Sequence, residues 1–169
     1  KGGAEGQAKK QAEELSKNGV NVDVLTYHRR GFKRFEIVNG VAVFRLKGLL
    51  YKQIKKYSLV FSVFWFIFKN RKKYDVIHIH MAMLPAFSAV FIAKVCKIPT
   101  VIKIASSGGN LDLIKLKKET LFGGYMAGFL VRNTSRFIAI APNVKNDLIK
   151  LGVKKDQITL IPNGVIRNT

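Results

Sequence analysis

Asp75-Val76-Ile77-His78-Ile79-His80 and, beyond an apolar stretch over about 85–97, Pro99-Thr100-Val101-Ile102-Lys103-Ile104-Ala105 decide the fold of this chain. The first run is short and apolar, as a buried strand is, and is read as a strand over 75–80. The stretch after it is long enough for a helix over about 85–97. Pro99 then opens a second strand, Thr100 to Ala105. A strand, a helix and a strand in that order predict a right-handed crossover and a parallel pair.

The same alternation continues in both directions. Downstream, a helical stretch over about 111–133 is interrupted near Gly123-Gly124, and Phe137 to Ala141 reads as a strand. Pro142 suits a first helical turn, with Val144, Leu148 and Leu151 on one face and Gly152 as the stop. Ile158 to Ile161 is the last strand. Upstream, residues 4–18 follow helical spacing through Ala4, Ala8, Gln11, Ala12 and Leu15, and Asn18-Gly19 ends them. Val20 to Tyr27 alternates as a strand does. Asn39-Gly40, between Ile37-Val38 and Val41-Ala42-Val43-Phe44, signals a tight hairpin within 35–46, an excursion from the main alternation. One long helix is expected over 51–73. The fold class is therefore α/β: a Rossmann-like, doubly wound, mostly parallel sheet with helices on both faces. A glycine-opened helix normally follows a strand, and none precedes Gly2, so the expectation is a fragment that lacks the first strand. The other reading makes residues 1–5 a frayed terminus.

The chain has 169 residues, enough for one domain with a real core, and 48% of them are apolar. Its one cysteine, Cys96, excludes an intrachain disulfide and, lying in an apolar run, reads as a buried inert thiol. Thirty Lys and Arg against ten Asp and Glu give a net charge of +20. Such a charge attracts a polyanion: a membrane surface, a nucleic acid or a phosphorylated substrate. No zinc-finger, helix-turn-helix or RNA-recognition pattern is present, so nucleic acid is not the expected partner.

The segments in order resemble one family. Gly2-Gly3-Ala4-Glu5 resembles the N-terminal glycine motif of retaining glycosyltransferases of family 4, enzymes with two Rossmann-like lobes (the GT-B fold). Ala12-Glu13-Glu14-Leu15-Ser16-Lys17-Asn18-Gly19 with Val22-Asp23-Val24-Leu25-Thr26 is similar to the family's first helix and second strand. Tyr74 to His80 resembles its mid-lobe strand ending in histidine, and Ile98 to Ile102 the entry to the next strand. Ala139 to Gly152, then Ile158-Thr159-Leu160-Ile161-Pro162-Asn163-Gly164-Val165, resemble the last segment before the second lobe. The similarity spares roughly residues 28–73. It implies that residues 1–169 are the N-terminal, acceptor-side lobe, with the donor-binding lobe absent and the isolated chain inactive. It implies transfer of a sugar from a nucleotide-sugar donor to a lipid-linked or polysaccharide acceptor hydroxyl, with no cofactor and, as a rule, no metal ion. Many members carry a histidine just past the strand that ends here near Ile104. This chain reads Ile104-Ala105-Ser106-Ser107-Gly108-Gly109 there, and no catalytic residue is assigned.

Candidate site residues sit at predicted strand ends and at one helix start. Gly2 and Gly3 would let the backbone approach the donor diphosphate, aided by the helix dipole, or form an ordinary flexible terminus. Glu5 reads as an acid suited to a first helical turn. His80, on the same strand face as His78, either reaches acceptor hydroxyls or is a loop or capping residue, while His78 reads as core. Two histidines without a third ligand nearby do not suggest a metal site. Ser106, Ser107 and Gly108 could bind a sugar or phosphate through hydroxyls and backbone amides, or form a turn and helix N-cap. Asn163 and Gly164 could line the cleft or only turn the chain.

Leu59 to Phe68 is apolar nearly all round but too short to span a bilayer, and lysines flank it on both sides. Phe61, Phe64, Trp65, Phe68, Lys69 and Lys72 are the expected contacts with an anionic membrane; the plainer alternative is a crossover helix buried on the sheet. The expected location is cytoplasmic, peripheral on the inner face of the cell membrane. The competing function is a non-catalytic basic α/β module that binds anionic membrane or nucleic acid.

Overall fold

A computed structural model describes residues 3–48 and 52–164, which form two compact units divided within one helix, at Phe66 and Ile67. Gly2 and Val165 lie outside the described residues.

The first unit begins with helix α1 (Gly3–Lys17) and strand β1 (Asp23–Tyr27). The strand starts later than the alternation from Val20 suggests. Gly19 N–H bonds to Ser16 O and Val20 N–H to Leu15 O, at 3.0 and 3.1 Å, closing a left-handed helix cap that consumes the next residues. Strands β2 (Phe35–Val38) and β3 (Val41–Leu46) form the expected antiparallel hairpin, with Asn39 and Gly40 at φ 51° and 80° in its turn. This hairpin is not an excursion. β3 pairs in parallel with β1 along its length, from Asp23↔Ala42 to Tyr27↔Leu46, so the sheet order is β1-β3-β2. α1 lies against β3's entry: Asn39 donates to Glu13 Oε1 at 2.7 Å and Ser16 Oγ to Gly40 O at 3.3 Å. Arg45 pairs with Glu36 across the hairpin and stacks 5.1 Å from the Phe32 ring centroid.

Helix α2 (Lys52–Asn70) is continuous, and residues Arg71–Lys73 extend it as a 3₁₀ turn. It has two apolar faces rather than one. Leu59, Val63 and Ile67, at i, i+4 and i+8, are buried. Tyr57, Phe61, Trp65 and Phe68 form a second, exposed stripe. Phe64, expected at the exposed side, is half-buried between them. Phe66 stacks on Phe44 of β3 at 5.0 Å.

The second unit holds β4 (Ile77–His80), α3 (Leu84–Val95), β5 (Thr100–Ile104), α4 (Asp112–Glu119), α5 (Gly123–Asn133), β6 (Arg136–Ala139), α6 (Pro142–Lys150) and β7 (Ile158–Leu160). Its sheet is parallel throughout, in the order β4-β5-β6-β7. Ile102, Ile104, Phe137, Leu116, Leu130 and Leu148 are fully buried and tie strands to helices. α3 ends at Val95 because Lys97, at φ 58°, takes the left-handed cap position usually given to glycine. Cys96, just before it, is half-buried rather than buried. α3 meets α5 through Phe87, Phe91 and Phe129, with centroids 5.2–6.2 Å apart.

The helical stretch expected over 111–133 is two helices, and Gly123 is the reason they can meet so tightly. A Cβ there would lie 2.2 Å from Leu116 O and 2.8 Å from Lys117 O, whereas at Gly124 the nearest heavy atom, Lys117 Cε, is 4.0 Å away. Gly123→Ala is expected to destabilise the chain by about 1–3 kcal/mol through overpacking. Gly124→Ala should be neutral or stabilising by up to about 1 kcal/mol through helix propensity. Urea midpoints of the two variants check the contrast.

Candidate functional site

In the second unit the parallel register brings the carboxyl ends of four strands to one edge of the sheet. This is where α/β sheets bind ligands. β4 ends at His80, β5 runs into Ala105-Ser106-Ser107-Gly108, β6 into Ala141-Pro142-Asn143, and β7 into Pro162-Asn163. A cavity of about 320 Å³ lined by Lys94, Lys97, Thr100, Asn133 and Ser135 opens at the opposite end of β5. The strand-end loops carry the richer chemistry, and the site is assigned to them.

The loops are braced by carboxylates that sequence reasoning missed. Asp112, buried at the start of α4, accepts from the Ala82 N–H after β4 and from Ser106 Oγ after β5, both at 3.2 Å. Asp147 of α6 accepts the Gly108 N–H at 2.7 Å. Asn143 donates to Ser107 Oγ at 3.1 Å, which leaves the Ser107 hydroxyl its own proton to donate. Three of these bonds join residues 30 or more positions apart, and Ser106 and Asp112 are only six apart, so no local pattern marks the longer ones. Asp112 alone had a signal, an acid in a first helical turn, and that signal has a commonplace explanation.

These bonds bear on two expectations. Ser107 takes the N-cap position of the 3₁₀ turn Gly108–Asn110 directly after it, as the capping reading has it, though without a side-chain cap bond, and α4 itself starts after Leu111. The Gly108 amide is occupied by Asp147, so it is not free for a phosphate, and the carboxylate puts negative charge beside the loop. The arrangement suits hydroxyls, which can donate to carboxylates and accept from serine.

His78 and His80 share a strand face, as alternation requires, and their rings stack at 4.5 Å with planes 24° apart. Both are half-buried. Burial pushes the His80 imidazole down to about 4, helped by neighbouring His78 and by Lys103, its partner in register. Burial, then Lys103, lowers His78 as well. Both rings are neutral at pH 7, so His80 can donate or accept one hydrogen bond. Asn163 is half-buried, and its Oδ1 accepts no hydrogen bond among the described residues. Gly164 beside it is exposed.

Gly3, in the first unit, is exposed at the first turn of α1 with open space around it. Glu5 is in that first turn, as expected, and pairs with Arg29 at 3.3 Å. The pair brings the start of α1 to the loop after β1, where His28 Nε2 lies 3.0 Å from Phe32 O. Among the described residues no group of three or more His, Cys, Asp or Glu is placed to hold a metal ion.

An α/β unit with helices around a parallel sheet and polar loops at its carboxyl edge is of the Rossmann-like class. The family model described as Glycosyltransferase Family 4 matches residues 1–168, and the chain belongs to that family. Among solved structures, the chain is similar to Anabaena Alr3699/HepE in complex with UDP, with 17% identity over 97% of this chain and 41% of that one, and a TM-score of 0.59. It is also similar to the UDP-GlcNAc 2-epimerase from Methanocaldococcus jannaschii, at 15% identity over 71% of this chain and 31% of that one, with a TM-score of 0.50. A further UDP-N-acetylglucosamine 2-epimerase, 12% identical over 83% of this chain and 48% of that one, gives a TM-score of 0.52. These likenesses show the doubly wound Rossmann-like fold, and the chain spans less than half the length of each protein. No curated protein sequence matched the chain.

Two outcomes are expected. Asp112→Ala strands the Ala82 amide and the Ser106 hydroxyl and should cost about 1–3 kcal/mol, read as a lower urea midpoint with faster amide exchange at Ser106 to Gly108. The histidine pair binds fewer protons folded than unfolded between the ordinary value of 6.5 and about 4. Stability should therefore fall as pH drops through that window, and His80→Gln should flatten the fall. Urea midpoints between pH 4 and pH 7 measure it.

Proposed function

We propose that the chain is the acceptor-side lobe of a glycosyltransferase that moves a sugar from a nucleotide-sugar donor to a hydroxyl of a lipid-linked or polysaccharide acceptor. The observation that carries this reading is the family match over residues 1–168. The UDP in the Anabaena relative supports a uridine-type donor. In this reading a second lobe holds most of the nucleotide. Gly3, at the start of α1, and Gly2 before it in the sequence add backbone amides, with the helix dipole, to stabilise the departing diphosphate.

The serine loop takes the acceptor rather than the diphosphate. Asp147 on Gly108 opposes an anion, while Ser107 and His80 offer neutral hydrogen-bonding partners to a polyol. Their work is positioning: an acceptor hydroxyl held at the reaction distance loses its translational freedom before the chemical step.

The work is proposed to take place at the cytoplasmic face of the cell membrane. The exposed stripe of Tyr57, Phe61, Trp65 and Phe68, followed by Lys69 and Lys72, fits an interfacial helix on anionic lipid. Among the described residues no helix is long and apolar enough to cross a membrane.

The test is transfer of labelled sugar from a panel of UDP-sugars into extractable lipid or polysaccharide by membranes carrying the protein in its full cellular form. Ser107→Ala is expected to raise KM for the acceptor about tenfold, the loss of roughly one hydrogen bond, with KM for the donor unchanged. No transfer with any donor, together with salt-sensitive binding to duplex DNA that survives substitution of Gly2 and Gly3, would replace this reading with the basic binding module.

A further inference from the structure

The turn between α4 and α5 carries an apolar tip that neither the fold nor the proposed site uses. Leu121, Phe122 and Tyr125 are 68%, 72% and 65% exposed. The two helices do not need them for packing, because Leu113 and Leu116 of α4 and Leu130 of α5 are already buried. The tip is also held rigidly. The Gly123 N–H bonds to Thr120 O at 3.0 Å, Thr120 Oγ1 to Leu116 O at 2.6 Å, and Gly123 leaves no room for a Cβ. Phe122 sits at φ 60°, a left-handed conformation that a bulky aromatic residue rarely adopts. Asparagine or glycine would be easier there, yet the position carries an exposed phenylalanine.

We infer that this corner is a membrane-inserting tip, with Leu121, Phe122 and Tyr125 entering the interface of an anionic bilayer. Charge selects the occupant. Lys115, Lys117 and Lys118 of α4 precede the tip, against Glu119 and the buried Asp112 at the helix start, and Lys117 lies along its base beside Gly124. The whole chain carries +20. Apolar and aromatic residues beside lysines match the acyl boundary and the anionic headgroups respectively, and an exposed tyrosine suits the level between them. Three side chains make too small a patch for a stable protein–protein interface, which needs about 1,000 Å² or more. Insertion into lipid has no such threshold. The inference shares with the α2 proposal only its partner, and it rests on different residues.

The chain's single tryptophan, Trp65, lies in α2 and gives the experiment its resolution. In the full chain, Trp65→Phe with Phe122→Trp moves the only indole to the tip. Both proteins are mixed with phosphatidylglycerol-containing vesicles, with pure phosphatidylcholine vesicles, and with vesicles of brominated acyl chains. The expected result is a blue-shifted emission of the tip indole on anionic vesicles, quenched by bromine and reversed by salt. Phe122→Ser should weaken vesicle binding about tenfold, the transfer of one phenylalanine side chain. Leu121→Ser with Tyr125→Ser, which leaves the strained position untouched, should also weaken binding.

Quenching of Trp65 without quenching of the tip indole would overturn this inference and leave the α2 proposal standing. The reverse pattern would support the tip and remove α2 from the membrane. A tip indole that shifts with protein concentration in the absence of lipid would point to a second copy of the chain, and no vesicle binding by either protein would end the idea.

Discussion

Asp112 is the constraint on which the candidate site depends. Its carboxylate is buried, and a buried carboxylate needs hydrogen bonds to compensate for lost hydration. It finds them at Ala82 and Ser106, one beyond each of two neighbouring strands. The electrostatic need of one group thus fixes the mutual position of two loops that the sheet alone would leave free. Asp147 and Asn143 repeat the device from α6, so the serine loop is held from two helices. A loop fixed in this way can present hydroxyls to a ligand without first being ordered by it, which removes part of the entropic cost of binding.

The alternation of elements was legible because it is written locally. Ile77 to His80 and Thr100 to Ile104 are short apolar runs, and helical spacing around Val144 and Leu148 named α6. What was not legible depended on distant partners. The pairing of β3 with β1 turns an apparent side hairpin into a sheet strand, and nothing within residues 35–46 announces it. The bonds from Asp112 to Ala82 and from Asp147 to Gly108 join residues 30 and 39 positions apart. Sequence did place Ser106, Ser107, Gly108, His80 and Asn163 at strand ends, and the structure brings the ends of β4 to β7 to one edge. Ser107 does stand at the N-cap position of the short helix after it, but the bonds of the loop to Asp112, Asp147 and Asn143 could not be read from the local pattern. Gly2 lies outside the described residues, and Gly3 is exposed at the start of α1.

Helix α2 explains why an all-round apolar segment need not be all-round buried. The helix buries one stripe, here Leu59, Val63 and Ile67. The residues between those positions face elsewhere, and in this chain they are aromatic. The strongly basic balance, a net charge of +20, adds repulsion between copies of the chain that carry such a surface.

That balance has a consequence for the sheets themselves. Among the described residues β2 pairs only with β3, and β7 only with β6. Each therefore has a margin of backbone donors and acceptors outside the ladder, the kind of border along which β-structure propagates between molecules. Repulsion from +20 is what stands against such growth. At physiological ionic strength its reach is only about 8 Å, so the colloidal fate of this polypeptide is set by counterions as much as by its hydrophobic interior.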